Sequence, residues 1–328
     1  MKAILVKNYG GREQLYIGEA DTPRPVNGEI LVRVKAAGLN RADILQREGR
    51  YPPPPGASSI LGLEIAGTVE AMGDRCSRWK KGERICALLP GGGYAQYAVV
   101  HEEIAMPIPA NLSFEQAAAI PEAFLTAFQA LFWLGNLQTG YNVLIHAGAS
   151  GVGSAAIQLV KISGAQAITT AGFAEKIQFC KNLGAELAIN YKEGEFAPKV
   201  MDATGGRGVD VIIDFIGAPY WEQNVGCLAS DGRIVILATM GGAVIEKFDL
   251  RALFKKRGQL ITSSLRSRNE DYKIRLTRDF IRKFLPAFEA MELKPVVDRV
   301  FPWQQVADAH RYMEENRNMG KIVLCGDW

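Results

Sequence analysis

Residues 142–161 read NVLIHAGASGVGSAAIQLVK, and the fold turns on how this stretch is read. Residues 142–146 are short, apolar and rich in branched side chains, the mark of a buried strand. Residues 147–153 are small, with glycine at 148, 151 and 153. Residues 154–161 are apolar at helical spacing. Strand, glycine turn and helix form the setting that holds a dinucleotide's pyrophosphate. Bare N–H groups at a helix N-terminus must approach the phosphates, and a Cβ on the turn would hold them away. The spacing here is G-x-x-G-x-G, a variant of the common G-x-G-x-x-G. The alternative is a tight strand-to-helix turn that holds no ligand.

A second apolar run, residues 166–171, follows about 20 residues on, where a site selective for NADH carries Asp or Glu for the ribose 2′-hydroxyl. The chain instead reads Thr170-Ala171-Gly172-Phe173, with Lys176 close behind. A carboxylate would repel a 2′-phosphate, whereas open space beside a lysine accepts one. The expected cofactor is therefore NADPH. The alternative for Lys176 is an ordinary exposed helix lysine.

With 328 residues the chain is long enough for two domains, each with its own core. A net charge of +3 does not by itself imply nucleic acid. The basic clusters at 75–81, 255–257 and 266–268 are short and read as solvated loops. No run of 18 apolar residues is present, and the N-terminal MKAILVKNYG has neither signal-peptide nor transit-peptide character, so a cytoplasmic protein is expected. The five cysteines are scattered, odd in number and without C-x-x-C, which argues against a disulfide framework or a structural zinc site.

Outward from the glycine turn, the chain divides in two. Up to about residue 110 the pattern is one of short strands with turns: 1–6, 15–18, 29–38, 61–70, 84–89 and 94–100. This predicts a twisted, barrel-like β domain. A helix is predicted over 39–46, with Asn40 near its start, and Tyr51 opens the rigid run Tyr51-Pro52-Pro53-Pro54-Pro55-Gly56. Ser113-x-x-Gln116 is a capping box opening an apolar helix. Beyond it, strands and helices alternate to about 264, which predicts a doubly wound parallel sheet. Residues 271–289 read as a long helix, and 296–328 as a strand, helix and strand returning to the first domain. The fold expected is α/β, with the β-rich catalytic domain at 1–120 and 290–328 and the dinucleotide-binding domain at 121–289. Gly91-Gly92-Gly93 follows a strand and could approach a ligand but reads rather as a plain mobile turn, and His146, on an apolar strand, reads as a packed core histidine rather than an acid.

The G-x-x-G-x-G turn, Asn40-Arg41-Ala42-Asp43, Gly62-Leu63-Glu64-x-x-Gly67 and the terminal Gly320-Lys321-Ile322-Val323 resemble the medium-chain dehydrogenase/reductase superfamily over essentially the whole chain. The resemblance implies a GroES-like catalytic domain and a Rossmann domain. Its zinc-dependent alcohol dehydrogenases carry Cys where Asn40 stands and His where Leu63 stands. This chain therefore resembles the zinc-free branch, and no metal is expected. His101, His146 and His310 lie apart. Within that branch, NRADILQREGRYPPPPGASSILGLE, ALLPGGGYAQY, AAAIPEAFLTAFQAL, LIHAGASGVG and RNMGKIVL are similar to the NADPH quinone oxidoreductases.

That resemblance implies roles residue by residue. Asn40 and Tyr51 would line the catalytic site beside the nicotinamide, and Thr126 would hold the nicotinamide-side phosphate or ribose. Ser150, Gly151 and Val152, on the turn that begins at Gly148, would meet the pyrophosphate. Gly172, Lys176 and Tyr191 would surround the 2′-phosphate. Ile216, Met240, Gly241, Ser264 and Leu265 would pack around ribose and nicotinamide, and Asn318 would close the site. Phe173 departs from the pattern, since relatives usually place Ser or Thr there.

The residue chemistry agrees with this outline. Alcohol oxidation calls for a Lewis acid to draw off the hydroxyl proton. Without one, the better substrate is an electron-poor acceptor that takes hydride directly, such as a quinone. A phenol such as Tyr51 stays neutral and can donate to a developing oxyanion. Asn40 has a second reading as a helix N-cap. The leading expectation is an NADPH-dependent quinone reductase acting without metal, with ortho-quinones favoured and a homodimer as the working form. The alternative within enzymes is an enoyl or enone reductase. The alternative of another class is a non-catalytic NADPH-binding protein with an RNA-binding or structural role.

Overall fold

The computed structural model describes residues 1–328. In chain order the strands are β1 (Lys2–Val6), β2 (Leu15–Glu19), β3 (Glu29–Leu39), β4 (Glu64–Met72), β5 (Arg84–Leu88), β6 (Tyr97–His101) and β7 (Ala105–Pro107). They continue as β8 (Asn142–Ile145), β9 (Gln166–Ala171), β10 (Leu187–Asn190), β11 (Val209–Asp214), β12 (Leu228–Ile236), β13 (Gln259–Thr262), β14 (Val297–Pro302) and β15 (Lys321–Cys325). The chain forms two compact units, residues 1–125 with 265–328, and residues 126–264. The expected boundaries at 120 and 289 differ in one substantial respect. The helix Glu270–Glu289 groups with the β-rich unit, because its apolar face carries Phe280 and Phe288, which pack with Phe124, and Phe284, which packs with Phe280.

In the β-rich unit a seven-stranded sheet runs β14-β15-β3-β4-β5-β7, with β6 also paired to β3. β3 lies at the centre, and its sequence explains why. Ile30, Val32, Val34 and Ala36 are buried, while Arg33 and Lys35 are exposed. The alternation buries one face and then, toward Leu39, the whole strand end. Asn40 follows that end and N-caps the helix Arg41–Arg47. β15 returns from the C-terminus to pair antiparallel with β3, setting Ile322 opposite Leu39.

The other unit is a six-stranded, all-parallel sheet ordered β10-β9-β8-β11-β12-β13. The order reverses direction at β8, so the crevice for a ligand lies beyond the carboxyl ends of β8 and β11. Its core holds Leu144, Ile168, Ile189, Phe196, Ile212, Trp221 and Ile234. Two short helices, Ala197–Ala203 and Leu250–Lys255, escaped the periodicity reading because each is too short to show a face.

The segment Phe114–Leu134 is long and apolar enough to cross a membrane by length and composition, but 72% of its most apolar window is buried inside the protein. It is the capped Phe114–Ala117 turn followed by Pro121–Phe128 and a π-helical turn at Gln129–Leu134.

Candidate active site

In the parallel-sheet unit, β8 ends at Ile145 and the helix Gly151–Ile162 begins six residues later. Ser150 is its N-cap, its Oγ accepting from Gly153 N at 3.0 Å. The glycines are needed for close approach. A Cβ at 148 would lie 1.9 Å from Thr169 Oγ1 on β9, and one at 153 would lie 2.4 Å from Ala147 O. This packing seats the turn tightly, and the first-turn N–H groups ahead of the capped Gly153, which have no carbonyl partner within the helix, are of the kind that suits an anion. Gly151 and Val152 occupy that first turn. Thr126 belongs to the same unit, and its Oγ1 is buried without a hydrogen-bond partner. Such an orphaned hydroxyl costs stability unless a ligand takes it up.

At the end of β9, Gly172 has no carboxylate beside it. A Cβ there would lie 2.8 Å from Tyr191 Oη, so the glycine seats the tyrosine ring. Phe173 caps the helix Ala174–Leu183, which carries Lys176. The ammonium of Lys192 stands 3.6 Å from the centre of the Phe173 ring. The phenylalanine thus removes a hydroxyl but gathers a second cation to the strand end. Sequence reasoning missed Lys192. Its one signal is its place next to Tyr191.

A buried relay links the strand ends of this unit. Asp214 accepts from Ile216 N at 2.6 Å and Gly217 N at 3.1 Å through one oxygen, and from Asn224 Nδ2 at 3.0 Å through the other. Asn224 Oδ1 therefore accepts, and His146 Nε2 donates to it at 2.7 Å. The histidine is left as the Nε2–H tautomer, with Nδ1 accepting from Thr170 Oγ1 at 3.0 Å. His146 is fully buried between Phe196 and Tyr220, and burial lowers its pKa, so it is a neutral core histidine. The relay holds the Ile216–Gly217 loop, against which Gly241 packs. A Cβ at 241 would lie 2.8 Å from Ile216 Cγ2. Met240 beside it is exposed, as is Ser264 at the end of the unit.

The β-rich unit holds the second group of residues. Asn40 Nδ2 donates to Glu64 Oε1 at 2.9 Å, and its Oδ1 accepts from Lys321 Nζ at 2.6 Å. Lys321 Nζ also reaches Glu64 Oε1 at 2.5 Å and Leu39 O at 3.0 Å. Glu64 Oε2 accepts from Glu122 N at 2.8 Å. Gly38 makes the space, since a Cβ there would lie 2.3 Å from Glu64 Oε1. Asp43, in the first turn of the helix that Asn40 caps, accepts from Asn40 N, Gly62 N and Tyr94 Oη. The N-cap reading of Asn40 and its place in a polar site hold together.

Tyr51 is half-buried, with the guanidinium of Arg266 5.1 Å from its ring centre. Arg266 is itself pinned to Pro90 O at 2.8 Å and Gln46 Oε1 at 2.5 Å, so the proline loop is braced from beneath. Gly91-Gly92-Gly93 is a correction. All three are buried, and a Cβ at 91 would lie 2.6 Å from Ser58 O, so the run is a packed brace for the same loop and not a loose turn. Leu265 is buried in this unit, and Asn318 donates to Gly320 O at 2.9 Å just before β15. Sequence reasoning missed Asp43, Glu64, Glu122, Arg266 and Lys321 as site residues, although Asp43, Glu64 and Lys321 lie inside the motifs quoted for the resemblance.

The carboxyls here are perturbed. Burial pushes Asp43 up to about 6, against the backbone N–H bonds that favour its ionised form. Burial and the neighbouring Glu64 push Glu122 up to about 7. Both groups hold their protons to higher pH in the folded chain than in the unfolded one. The folded state therefore binds more protons between about pH 4 and pH 7, and stability falls as pH rises through that window. Replacing Glu122 with Gln should shrink the drop in urea midpoint between about pH 5 and about pH 7.5. An unchanged drop would contradict the assignment.

Two family models match the chain: the alcohol dehydrogenase GroES-like domain over residues 26–110 and the zinc-binding dehydrogenase over residues 151–279. The quinone oxidoreductase of Rattus norvegicus is 30% identical over 327 residues, covering 99% of this chain and 97% of the relative. Among solved structures, mycobacterial Rv1454c complexed with NADPH superposes with a TM-score of 0.89 at 28% identity, over 99% of this chain and 100% of that one. A protein described as an NAD-dependent alcohol dehydrogenase gives 0.87 at 33%, over 100% of both. The JamJ enoyl reductase gives 0.87 at 26%, over 99% of this chain and 98% of that one. On its similarity to a quinone oxidoreductase along its full length, the chain belongs to the quinone oxidoreductase family of the medium-chain dehydrogenases/reductases and is an oxidoreductase.

Proposed function

We propose that the protein is an NADPH-dependent quinone reductase that works without a metal. The observation that carries this reading is the substitution of chemistry at residues 39–64. Where zinc-dependent relatives offer thiolate and imidazole, this chain offers an amide and Leu63, with the Lys321 ammonium bonded to that amide. A fixed cation there disfavours a second one. Chemistry that draws off an alcohol proton is poorly served, and direct reduction of an electron-poor acceptor is better served.

The cofactor assignment rests on the parallel-sheet unit. The capped first turn of the helix Gly151–Ile162 suits a pyrophosphate, and the unpartnered Thr126 hydroxyl suits a ribose or phosphate oxygen. Gly172, Tyr191, Lys176 and Lys192, with no carboxylate at the end of β9, suit a 2′-phosphate. Rv1454c, whose complex holds NADPH, supports the same choice. Bound there, the nicotinamide supplies a hydride. Ile216, Met240, Gly241, Ser264 and Leu265 would pack around ribose and nicotinamide, and Asn318 would close the site. Asn40 and Tyr51 steady the acceptor oxygen as negative charge grows on it, each by an N–H or O–H bond. Water supplies the protons. The likeness to an enoyl reductase favours a second reading, in which a conjugated enone or enoyl thioester takes the hydride. All five cysteines are free, which suits the cytoplasm.

We further propose a homodimer formed through β13. This edge strand pairs only with β12 and carries the exposed Leu260, and Phe254 and Val244, both 80% exposed, and Leu250 add apolar surface to the same unit.

NADPH oxidation with an ortho-quinone should exceed NADH oxidation. The double variant K176E/K192E should lose about tenfold or more in kcat/KM for NADPH while NADH is little affected. Tyr51→Phe should slow quinone turnover by on the order of tenfold to a hundredfold. Turnover of an enone but no quinone would move the assignment to the second reading, and binding without turnover of either would refute both. Sedimentation should give twice the chain mass, falling to one chain in L260K/F254E. A monomeric parent would refute the dimer.

A further inference from the structure

Lys321 is the least expected member of the polar site. It is 4% exposed, it lies at the start of a sheet strand, and no other lysine in the chain is so buried. An ammonium has three protons to give. Here all three have acceptors: Leu39 O, Asn40 Oδ1 and Glu64 Oε1. The group has no proton left for a substrate, so its effect must pass through a neighbour.

That neighbour is Asn40. A side-chain amide can sit in two orientations half a turn apart, and only its hydrogen bonds choose between them. With Lys321 on one side and Glu64 on the other, the choice is strict. The reversed amide would set NH2 against an ammonium and a carbonyl oxygen against a carboxylate. In the orientation found, one Nδ2 proton goes to Glu64 at 2.9 Å, while the other has only Gly38 O, at 3.4 Å and thus loosely held. That second proton is the one an acceptor oxygen can take.

We propose that Lys321, paired with Glu64, is a positioning residue that locks the Asn40 amide in a single orientation and so presents one N–H to the substrate oxygen. This rests on the reading of Asn40 as a substrate-facing donor, but the lock itself can be observed without turnover.

The Asn40 side-chain amide protons, identified in a nitrogen-15 correlation spectrum by their loss in N40A, should form a widely split pair in the parent. In K321M, and in the charge-balanced K321M/E64Q that leaves neither ion unpaired, the splitting should narrow as the amide begins to turn. K321R should restore it in part. An unchanged pair in both lysine variants overturns the lock. Turnover is the second readout. K321M should lower kcat for the quinone at least tenfold with NADPH affinity unchanged, and should cost little more when placed on N40A. Full additive losses would mean that Lys321 is structural only and overturn the proposal. A narrowed pair with N40A fully active would leave the lock standing and refute the role of Asn40 at the substrate, which separates the two failures.

Discussion

A buried ammonium must find three acceptors, and meeting that demand shapes one end of the β-rich unit. The acceptors of Lys321 come from the end of β3, from the residue after it, and from the start of β4. Two segments far from it in sequence are thereby tied to the C-terminal strand, which enters the sheet beside β3. Glu64 completes the tie by accepting from Glu122 N. The network binds the sheet to the first turn of the Asn40-capped helix and to the helix that runs on to Thr126. Removing either ion alone would strand the other in a buried place, which costs about 3–5 kcal/mol.

The parallel-sheet unit solves a different problem with different means. Its strand ends must approach a ligand closely and still not move. Glycines at 148 and 153 remove the side chains that would intervene, and the Asp214–Asn224–His146–Thr170 relay then holds the loops those strands enter. The histidine contributes through its two nitrogens and its shape. Its burial lowers its pKa and so favours the neutral ring that the relay's hydrogen bonds require.

Much of this was legible in the chain. The strand, glycine turn and helix at 142–161 appeared in place, as did the alternation that predicts a parallel sheet, because both depend on local periodicity and on residues near in sequence. The Asn40 cap was legible for the same reason. The Lys321–Asn40–Glu64 tie was not, since 281 residues separate the lysine from the asparagine and nothing local marks a lysine as buried. The Gly91-Gly92-Gly93 run was misread because three glycines look loose until Ser58 is seen packed against them. The helix Glu270–Glu289 was predicted as an element but grouped with the wrong unit, because its partner Phe124 lies more than a hundred residues earlier. Lys192 became visible only through its seat on Phe173.

The central claim is that hydride reaches the acceptor directly, with side chains and not a metal steadying the oxygen. Anaerobic single-turnover oxidation of NADPH carrying deuterium at nicotinamide C4 tests it most directly, with an ortho-quinone as acceptor and protein treated with a chelator beforehand. The account predicts that deuterium on one C4 face slows the step and that chelation changes nothing. A rate indifferent to deuterium on either face, or one abolished by the chelator and restored by a divalent metal, would contradict it.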